Sequence, residues 1–147
     1  MKCKNYEKFM ASNPFGNDNT VLIFKDEKVK VSKSILCIHT DYFYDLFFKN
    51  ITQNEFEITA FNVAAFHCLY EAINKGESYK LTGENVLKLL DIRQVVDLED
   101  LDPMIENWIR TDESKQYLMK ILKHACMFRL ESLIKLCQDK MSDNYKN

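Results

Sequence analysis

The chain is poor in the residues that build catalytic and cofactor-binding loops. It has only three glycines and two prolines in 147 residues, which leaves little material for the glycine-rich turns that hold phosphates. No G-x-S-x-G, H-E-x-x-H or phosphate-loop motif occurs, and the only histidines, His39, His67 and His124, lie far apart in the sequence. We therefore expect neither an enzyme nor a bound cofactor.

The cysteines form no disulfide or metal-binding pattern. Their number, five, is odd, and no C-x-x-C pair occurs. The N-terminus lacks the apolar core of a signal peptide, so we expect reduced thiols in the cytoplasm or the nucleus. His124, Cys126 and Cys137 do not have the spacing of a zinc site, so no metal is expected. Four cysteines fall near apolar positions of predicted helices, which favours core residues over ligands; they are Cys37, Cys68, Cys126 and Cys137.

Charge and hydropathy give no sign of nucleic-acid or membrane binding. The net charge is −2 at pH 7, so there is no general attraction to nucleic acid or to anionic lipid, and no basic stripe or zinc finger is present. The longest apolar run is only a few residues, too short to span a bilayer. With 46% hydrophobic and 29% charged residues, the chain is expected to be ordered and about one domain in size.

Hydrophobic periodicity predicts three short strands, at residues 20–25, 28–32 and 55–58. The first contains a continuous apolar run from Val21 to Phe24, which predicts burial on both faces. The second and third alternate apolar and polar residues, as half-buried strands do. Asp26 and Glu27, between the first two strands, predict a hairpin turn.

Helical periodicity covers most of the remaining chain. Residues 63–73 form an apolar stripe, and Gly76 after it suits a left-handed helix cap. Thr82 is the predicted N-cap of the next helix. Pro103 fits only in the first turn of a helix, so we place that helix start at Asp100. Clean apolar stripes between residues 117 and 141 predict a further helical hairpin at the C-terminal end.

Several segments, taken in order, resemble the BTB/POZ domain. Residues 29–47 run from a valine strand through a short helix to an aromatic helix, close to the family pattern V-x-x-H-K-x-x-L-x-x-x-S-x-Y-F-x-x-L-F. Residues 61–76 are similar to D-V-x-x-x-A-F-x-x-L-L-x-F-I-Y-T-G, and residues 81–90 to L-T-x-E-N-V-x-E-L-L. The family's histidine before Lys33 is Ser32 here.

The resemblance implies an α+β fold with a small three-stranded sheet, a cluster of helical hairpins and an all-helical C-terminal tail. Residues 1–17 are then an N-terminal segment, and residues 18–109 are the BTB/POZ domain. Residues 110–147 resemble the helical pair, called BACK, that follows many such domains. Because BTB domains are interaction modules, the resemblance implies a protein–protein interaction adaptor.

Within the family, the resemblance points to a BTB subunit of a cullin-RING ubiquitin ligase. Cullin-binding members carry a hydrophobic-x-Glu motif after the second helix, where this chain has Ile51-Thr52-Gln53. The side-chain amide of Gln53 cannot form the charge-assisted hydrogen bond that the glutamate of the motif forms. One alternative is that residues 51–53 form an ordinary polar loop. Another is that the acidic residues Asp102 and Glu106 belong to a solvated helix face. The candidate cullin-facing residues are Phe48, Ile51, Gln53, Asp102, Glu106 and Tyr117.

The resemblance also implies a two-fold homodimer through the first helix. The candidate interface residues are Phe9, Ile35, Leu36 and His39. The competing prediction is a monomer whose N-terminal segment folds back over that helix. Two alternative functions follow: a scaffold that pairs with itself or with other BTB proteins and binds no cullin, and a transcription co-regulator that acts through partners without touching DNA.

Overall fold

Residues 18–98 and 100–146 are described by the structure, a computed structural model. In these residues the chain forms three strands, β1 (Asn19–Ile23), β2 (Lys28–Ser32) and β3 (Glu55–Glu57). The helices of the same residues are α1 (Lys33–His39), α2 (Asp41–Lys49), α3 (Val63–Lys75), α4 (Gly83–Ile92), α5 (Leu101–Ile109), α6 (Leu118–Met127) and α7 (Glu131–Lys146), with short 3-10 helices at Gly76–Ser78 and Asp112–Tyr117. A small sheet beside a majority of helix confirms the predicted α+β class.

β1 is the central strand of the sheet, which has the order β2-β1-β3. β1 and β2 are antiparallel and joined by the predicted turn, in which Phe24 N–H donates to the Glu27 carbonyl over 2.8 Å. β3 runs parallel to β1, with Leu22 opposite Phe56. A parallel neighbour needs a long connection, and the chain supplies it with β2 and the α1–α2 hairpin.

The two faces of the sheet differ in burial, which corrects the prediction for the first strand. Thr20, Leu22 and Phe24 are buried, whereas Val21 and Ile23 are partly exposed. Successive side chains of a strand point to opposite faces, and the core takes Leu22 and Phe24 from one face. The prediction of burial on both faces was therefore wrong, although the run is apolar throughout.

Side-chain caps fix where the early helices begin. Ser32, Thr40, Asn62 and Thr82 are N-caps, and each accepts a hydrogen bond from the backbone N–H three residues on. Thr82 was predicted in this role, and its Oγ1 accepts from Asn85 N–H over 3.2 Å. These bonds satisfy amide groups that the first helical turn leaves without a partner.

Gly76, Asp100 and Pro103 lie where the sequence predicts. Gly76 follows α3 with a φ of +55°, a value that glycine adopts at little cost because it has no Cβ. Its ψ of −127° lies outside the left-handed helical region, so the predicted position is confirmed and the predicted left-handed conformation was wrong. Asp100 is at the N-cap position of α5, and its carbonyl accepts from Met104 N–H over 3.2 Å. Pro103 lies in the first turn of α5, where its missing N–H removes no helical bond.

An aromatic cluster ties the sheet to α2 and α3. Phe43 of α2 lies with its ring centroid 5.9 Å from that of Phe66 on α3, and 6.2 Å from Phe61. The ring centroid of Phe24, the residue after β1, lies 5.5 Å from that of Phe66. Phe43 and Phe66 are fully buried, and rings of this size contribute much of a core's buried area. The cluster therefore fixes the position of α2 against the sheet and α3, and with it the start of the segment that follows α2.

The C-terminal tail shares the core of the preceding helices. α6 and α7 form the predicted helical hairpin, and Leu118, Ile121 and Leu133 are buried in the same cluster as the earlier helices. Lys140 on α7 also donates through Nζ to the Arg110 carbonyl over 2.9 Å. The all-helical tail is confirmed, and its assignment to a BACK-like region stays a prediction.

The turn between α6 and α7 is a Schellman motif with arginine in the left-handed position. Arg129 has a φ of +56°. Leu130 N–H donates to the Ala125 carbonyl over 2.9 Å and Arg129 N–H to the Cys126 carbonyl over 3.3 Å, which are the two bonds of this motif. Glycine usually takes this place because a Cβ raises the energy of positive φ. Arg129 therefore holds a strained backbone conformation.

Neither a membrane span nor a metal site is found in the described ranges. No helix there has the length and apolar character to cross a bilayer, and no three His, Cys, Asp or Glu side chains are grouped as ligands. The cysteines of these ranges are free thiols, of which Cys37, Cys68 and Cys137 are buried. Cys126 is exposed on α6, so its prediction as a core residue was wrong.

Candidate functional site

The loop between α2 and β3 (residues 50–54, the α2–β3 loop) is anchored to the sheet. The Asn54 carbonyl accepts from Thr20 Oγ1 over 2.8 Å and from Val21 N–H over 3.0 Å. Both donors belong to β1, the central strand. A loop bonded to a central strand presents its other side chains in a fixed geometry, which is what a recognition element needs.

Lys33 supports the α2–β3 loop from inside the molecule. The residue is 2% exposed, and its Nζ donates to the Gln53 carbonyl over 3.2 Å. A buried ammonium group is stable only where hydrogen bonds or charges compensate its lost hydration. Lys33 was not among the site residues predicted from the sequence. The signal that could have found it is the lysine of the family pattern V-x-x-H-K, which it matches.

Ile51 is the exposed apolar residue of the α2–β3 loop, with 45% of its surface accessible. Phe48, near the end of α2, is partly buried and stacks on Tyr44, with ring centroids 4.2 Å apart and planes inclined by 15°. A large apolar side chain on an anchored loop can fill a pocket of a partner, as the central residues of protein interfaces do. Two of the predicted site residues are thus apolar and lie three positions apart, at the end of α2 and in the α2–β3 loop.

Gln53 is exposed, and its side chain is used within the chain. Its Nε2 donates to the Glu55 carbonyl over 2.6 Å, so the amide helps to shape the entry into β3. A glutamate here has no proton to give at neutral pH and loses this bond. Gln53 therefore has a structural contact of its own in addition to its predicted role.

Asp102 is engaged in an internal ion pair. Arg93 donates through Nε and Nη2 to the two carboxylate oxygens of Asp102, each over 2.5 Å. These hydrogen bonds raise the pKa of Arg93 above its ordinary value. Glu106, one turn further along α5, lines a groove of about 320 Å³ together with Asp102 and Arg129. Since Arg93 neutralises Asp102, Glu106 is the stronger candidate for a bond to a partner.

Tyr117 joins the tail to the start of α4. Its ring lies against Gly83 so closely that a Cβ on Gly83 would overlap it. The ring centroid of Tyr117 is 6.1 Å from that of Trp108 on α5. Trp108 is buried. Tyr117 is partly exposed, so it is both a packing residue and a candidate contact.

The six predicted cullin-facing residues lie on two parts of the fold. Phe48, Ile51 and Gln53 belong to the end of α2 and to the α2–β3 loop. Asp102, Glu106 and Tyr117 belong to α5 and to the 3-10 helix that follows it. Within the second group, Asp102 and Glu106 line one groove, whereas Tyr117 packs against Gly83 and Trp108. Contact of one partner with both groups stays a prediction.

The candidate dimer residues differ in accessibility. Leu36 is 0% exposed and His39 is 8% exposed within the single chain, so Leu36 belongs to the core of its own subunit. Ile35 and Ile38, one helical turn apart on α1, are partly exposed. The surface that α1 offers to a second copy therefore centres on these two isoleucines. Phe9 lies outside the described residues.

Comparison with known proteins defines the class of this chain. A model of the BTB/POZ domain matches residues 13–113, well over half of the sequence. The structure is similar to the BTB (Tramtrack and Bric a brac) domain of human gigaxonin, with a TM-score of 0.53, 16% identity, and coverage of 71% of this chain and 88% of that one. At this identity the likeness shows the fold alone. The search of curated proteins finds no match.

The family model covers more than two thirds of the chain, which is enough to assign it. The chain belongs to the BTB/POZ domain family. The resemblance predicted from residues 29–47, 61–76 and 81–90 is thereby confirmed. BTB domains mediate protein–protein contacts, so the adaptor class predicted from the sequence is supported at this level.

Proposed function

We propose that the chain is a BTB adaptor of a cullin-RING ubiquitin ligase, in which the α2–β3 loop contacts the cullin. The observation that carries this proposal is Ile51, a large apolar side chain, 45% exposed, on a loop held by Lys33 and by β1. Cullin-binding family members have a hydrophobic residue at the matching place. Phe48 adds a second apolar group at the end of α2.

Gln53 sets the strength of the proposed contact. Cullin-binding members have glutamate at the matching place, and a hydrogen bond to an ionised acceptor is roughly twice as strong as one to a neutral acceptor. The glutamine keeps an acceptor oxygen and lacks the charge. We therefore expect weaker binding than a glutamate at position 53 would give, by about 1 kcal/mol or fivefold.

The test is calorimetric titration of the full chain with the N-terminal domain of a third-type cullin. We expect Ile51→Asp to weaken binding at least about tenfold, because burying an unpaired carboxylate costs more than the lost apolar contact. We expect Gln53→Glu to strengthen binding about fivefold. Gln53→Glu also removes the hydrogen bond from Gln53 Nε2 to the Glu55 carbonyl. Tighter binding by this variant would therefore come from the new charge and not from a better-held loop.

Met127→Asp is the matched control. Met127 at the end of α6 is 64% exposed, so the substitution makes the same chemical change at another accessible apolar site. It should leave the affinity unchanged. Absence of binding at tens of micromolar cullin, or an equal loss with Ile51→Asp and Met127→Asp, would contradict the proposal.

A homotypic or heterotypic scaffold is the second candidate, and the exposed edge of α1 favours it. Ile35 and Ile38 pack against the core with part of each side chain left accessible. A two-fold contact would bring the same two residues together from both copies and remove this apolar surface from water. Another BTB protein with a similar first helix could take the place of the second copy.

Sedimentation of two aspartate variants tests the scaffold. The native chain should have twice its 17.4 kDa mass, and at low micromolar concentration Ile35→Asp should return it to a single chain with unchanged helicity. Leu36→Asp should instead lose helicity, because Leu36 is fully buried in its own subunit. A native mass of 17.4 kDa at every concentration would exclude the α1 dimer.

A further inference from the structure

The outer face of the sheet carries a row of lysines along β2 and a row of glutamates along β3. The strand register places Lys30, Val21 and Glu55 side by side across the three strands, and it places Lys28, Ile23 and Glu57 side by side two residues further along β1. Paired residues of a sheet share a face. This outer face therefore has lysines on β2, an apolar line on β1 and glutamates on β3.

The four charged side chains of the outer face are available to a partner. All four are exposed, and no ion pair within 4 Å involves them in residues 18–98 and 100–146. Val21 and Ile23, between the rows, are partly exposed β-branched residues. The lysine and glutamate rows lie two strand spacings apart, roughly 10 Å. The face thus presents separated opposite charges on either side of an apolar line.

This pattern matches its own copy in one orientation. If a second sheet faces the first about a two-fold axis parallel to β1, the lysine row of each copy lies opposite the glutamate row of the other. Val21 and Ile23 of the two copies then meet along the axis. If the axis runs across the strands, lysines face lysines and glutamates face glutamates, which is repulsive. The charges therefore select both the occupant and the axis.

We propose that the outer sheet face binds the same face of a second copy of this chain, about a two-fold axis parallel to β1. The contact uses neither α1 nor the exposed side chains of the α2–β3 loop, so it does not depend on the proposed function. Facing sheets pack about 10 Å apart, a distance that lysine and glutamate side chains can bridge. Such an interface is isologous and closes on itself.

An apolar groove extends the outer face at one end. The groove has a volume of about 640 Å³, and its lining includes Ile23 and Glu57 of the sheet together with Ile58, Phe61 and Val63. The two-fold axis parallel to β1 would place this groove opposite the same groove of the second copy, so the contact rests on the three strands. The face is still small compared with a standard interface, which places the contact in the weak, transient class. We expect a dissociation constant on the order of 100 μM.

Sedimentation equilibrium of the Ile35→Asp chain tests the proposal, because that variant lacks the α1 contact. Between about 10 μM and 1 mM, the expected range for a weak interface, the average mass should rise from 17.4 kDa toward twice that value. Lys28→Glu with Lys30→Glu should abolish the rise, and so should Glu55→Lys with Glu57→Lys. An equimolar mixture of these two variants should restore it, because an acidic face then meets a basic one.

Lys120→Glu with Lys123→Glu is the control, since it changes the net charge equally on exposed positions of α6. It should leave the rise intact. Ile35→Ser replaces Ile35→Asp in every arm if the aspartate lowers helicity. The proposal is overturned if the mass stays at 17.4 kDa up to the highest concentration, if the control abolishes the rise, or if the mixture fails to restore it.

Discussion

Gly83→Ala is expected to destabilise the chain through Tyr117, and the loss should disappear when the Tyr117 ring is removed. Gly83 is the buried first residue of α4. A Cβ at this position overlaps the Cε2, Cζ and Cδ2 atoms of the Tyr117 ring. The glycine is therefore required by the close approach of the ring. Its backbone has no positive φ, so an alanine carries no conformational penalty.

Two opposing contributions set the size of the effect. Forcing an added methyl group into a packed contact costs about 1–3 kcal/mol, whereas alanine is favoured over glycine in a helix by up to about 1 kcal/mol. The net loss in free energy of unfolding is about 1–2 kcal/mol, or roughly 2–8 °C in Tm. In a Tyr117→Ala chain the methyl group meets open space, and Gly83→Ala should stabilise by up to about 1 kcal/mol.

The assay is a double-mutant cycle of urea unfolding, followed by circular dichroism and tryptophan fluorescence. Trp108 is the only tryptophan, and its ring centroid lies 6.1 Å from that of Tyr117, so its emission reports on this contact. Gly76→Ala is the control, because nothing lies within 4 Å of a Cβ added at this position. Its loss in free energy of unfolding comes from the φ of +55°. That cost should not depend on Tyr117. An equal loss for Gly83→Ala in both backgrounds would refute the reasoning.

Three further predictions concern the tail turn, acid stability and the thiols. Arg129→Gly should raise the free energy of unfolding by about 0.5–1 kcal/mol, because it relieves positive φ, and Arg129→Ala should leave it unchanged in thermal melts. Partial burial acts to raise the pKa of Asp18, but hydrogen bonds from Ser32 and Ser34 outweigh it and hold the pKa below its ordinary value of 3.8. The resulting stability is present above that value and is lost as pH falls through the lowered pKa, so Asp18→Asn should flatten the acid limb of a stability profile; an unchanged limb would argue against this. In a Cys3→Ser chain, a thiol reagent should label Cys126 rapidly and the other three thiols only on unfolding, since they are buried. Burial raises the pKa of Cys37 to about 12 and that of Cys137 to about 11, and fast labelling of either in the native chain would contradict this.

Local chemistry was enough to predict most elements of the fold. Alternation and β-branched residues marked the strands, and Asp26 with Glu27 marked the turn between the first two. Thr82 and Pro103 marked helix starts, because capping and the missing proline N–H act within one turn. The order of the family segments then predicted the BTB/POZ fold. These features depend on residues close together in the chain, which a sequence shows directly.

The candidate sites depended more on tertiary contacts. The sequence identified Ile51 and Ile35 as apolar residues of interest, and only the structure showed that both are accessible while Leu36, next to Ile35, is fully buried. The sequence likewise could not show that Lys33 is buried beneath the α2–β3 loop. Burial is set by elements that arrive from distant parts of the chain, so neighbouring residues of similar hydropathy can differ completely in exposure.

The α+β class and the BTB/POZ family could be predicted from the amino-acid sequence alone. Three features could not: the one buried and one open face of β1, the left-handed conformation of Arg129, and the placement of lysines on β2 and glutamates on β3 of the same sheet face. The sheet features follow from strand register. Strands that are far apart in the sequence become neighbours with a fixed alignment, and that alignment assigns each side chain to a face and to a partner.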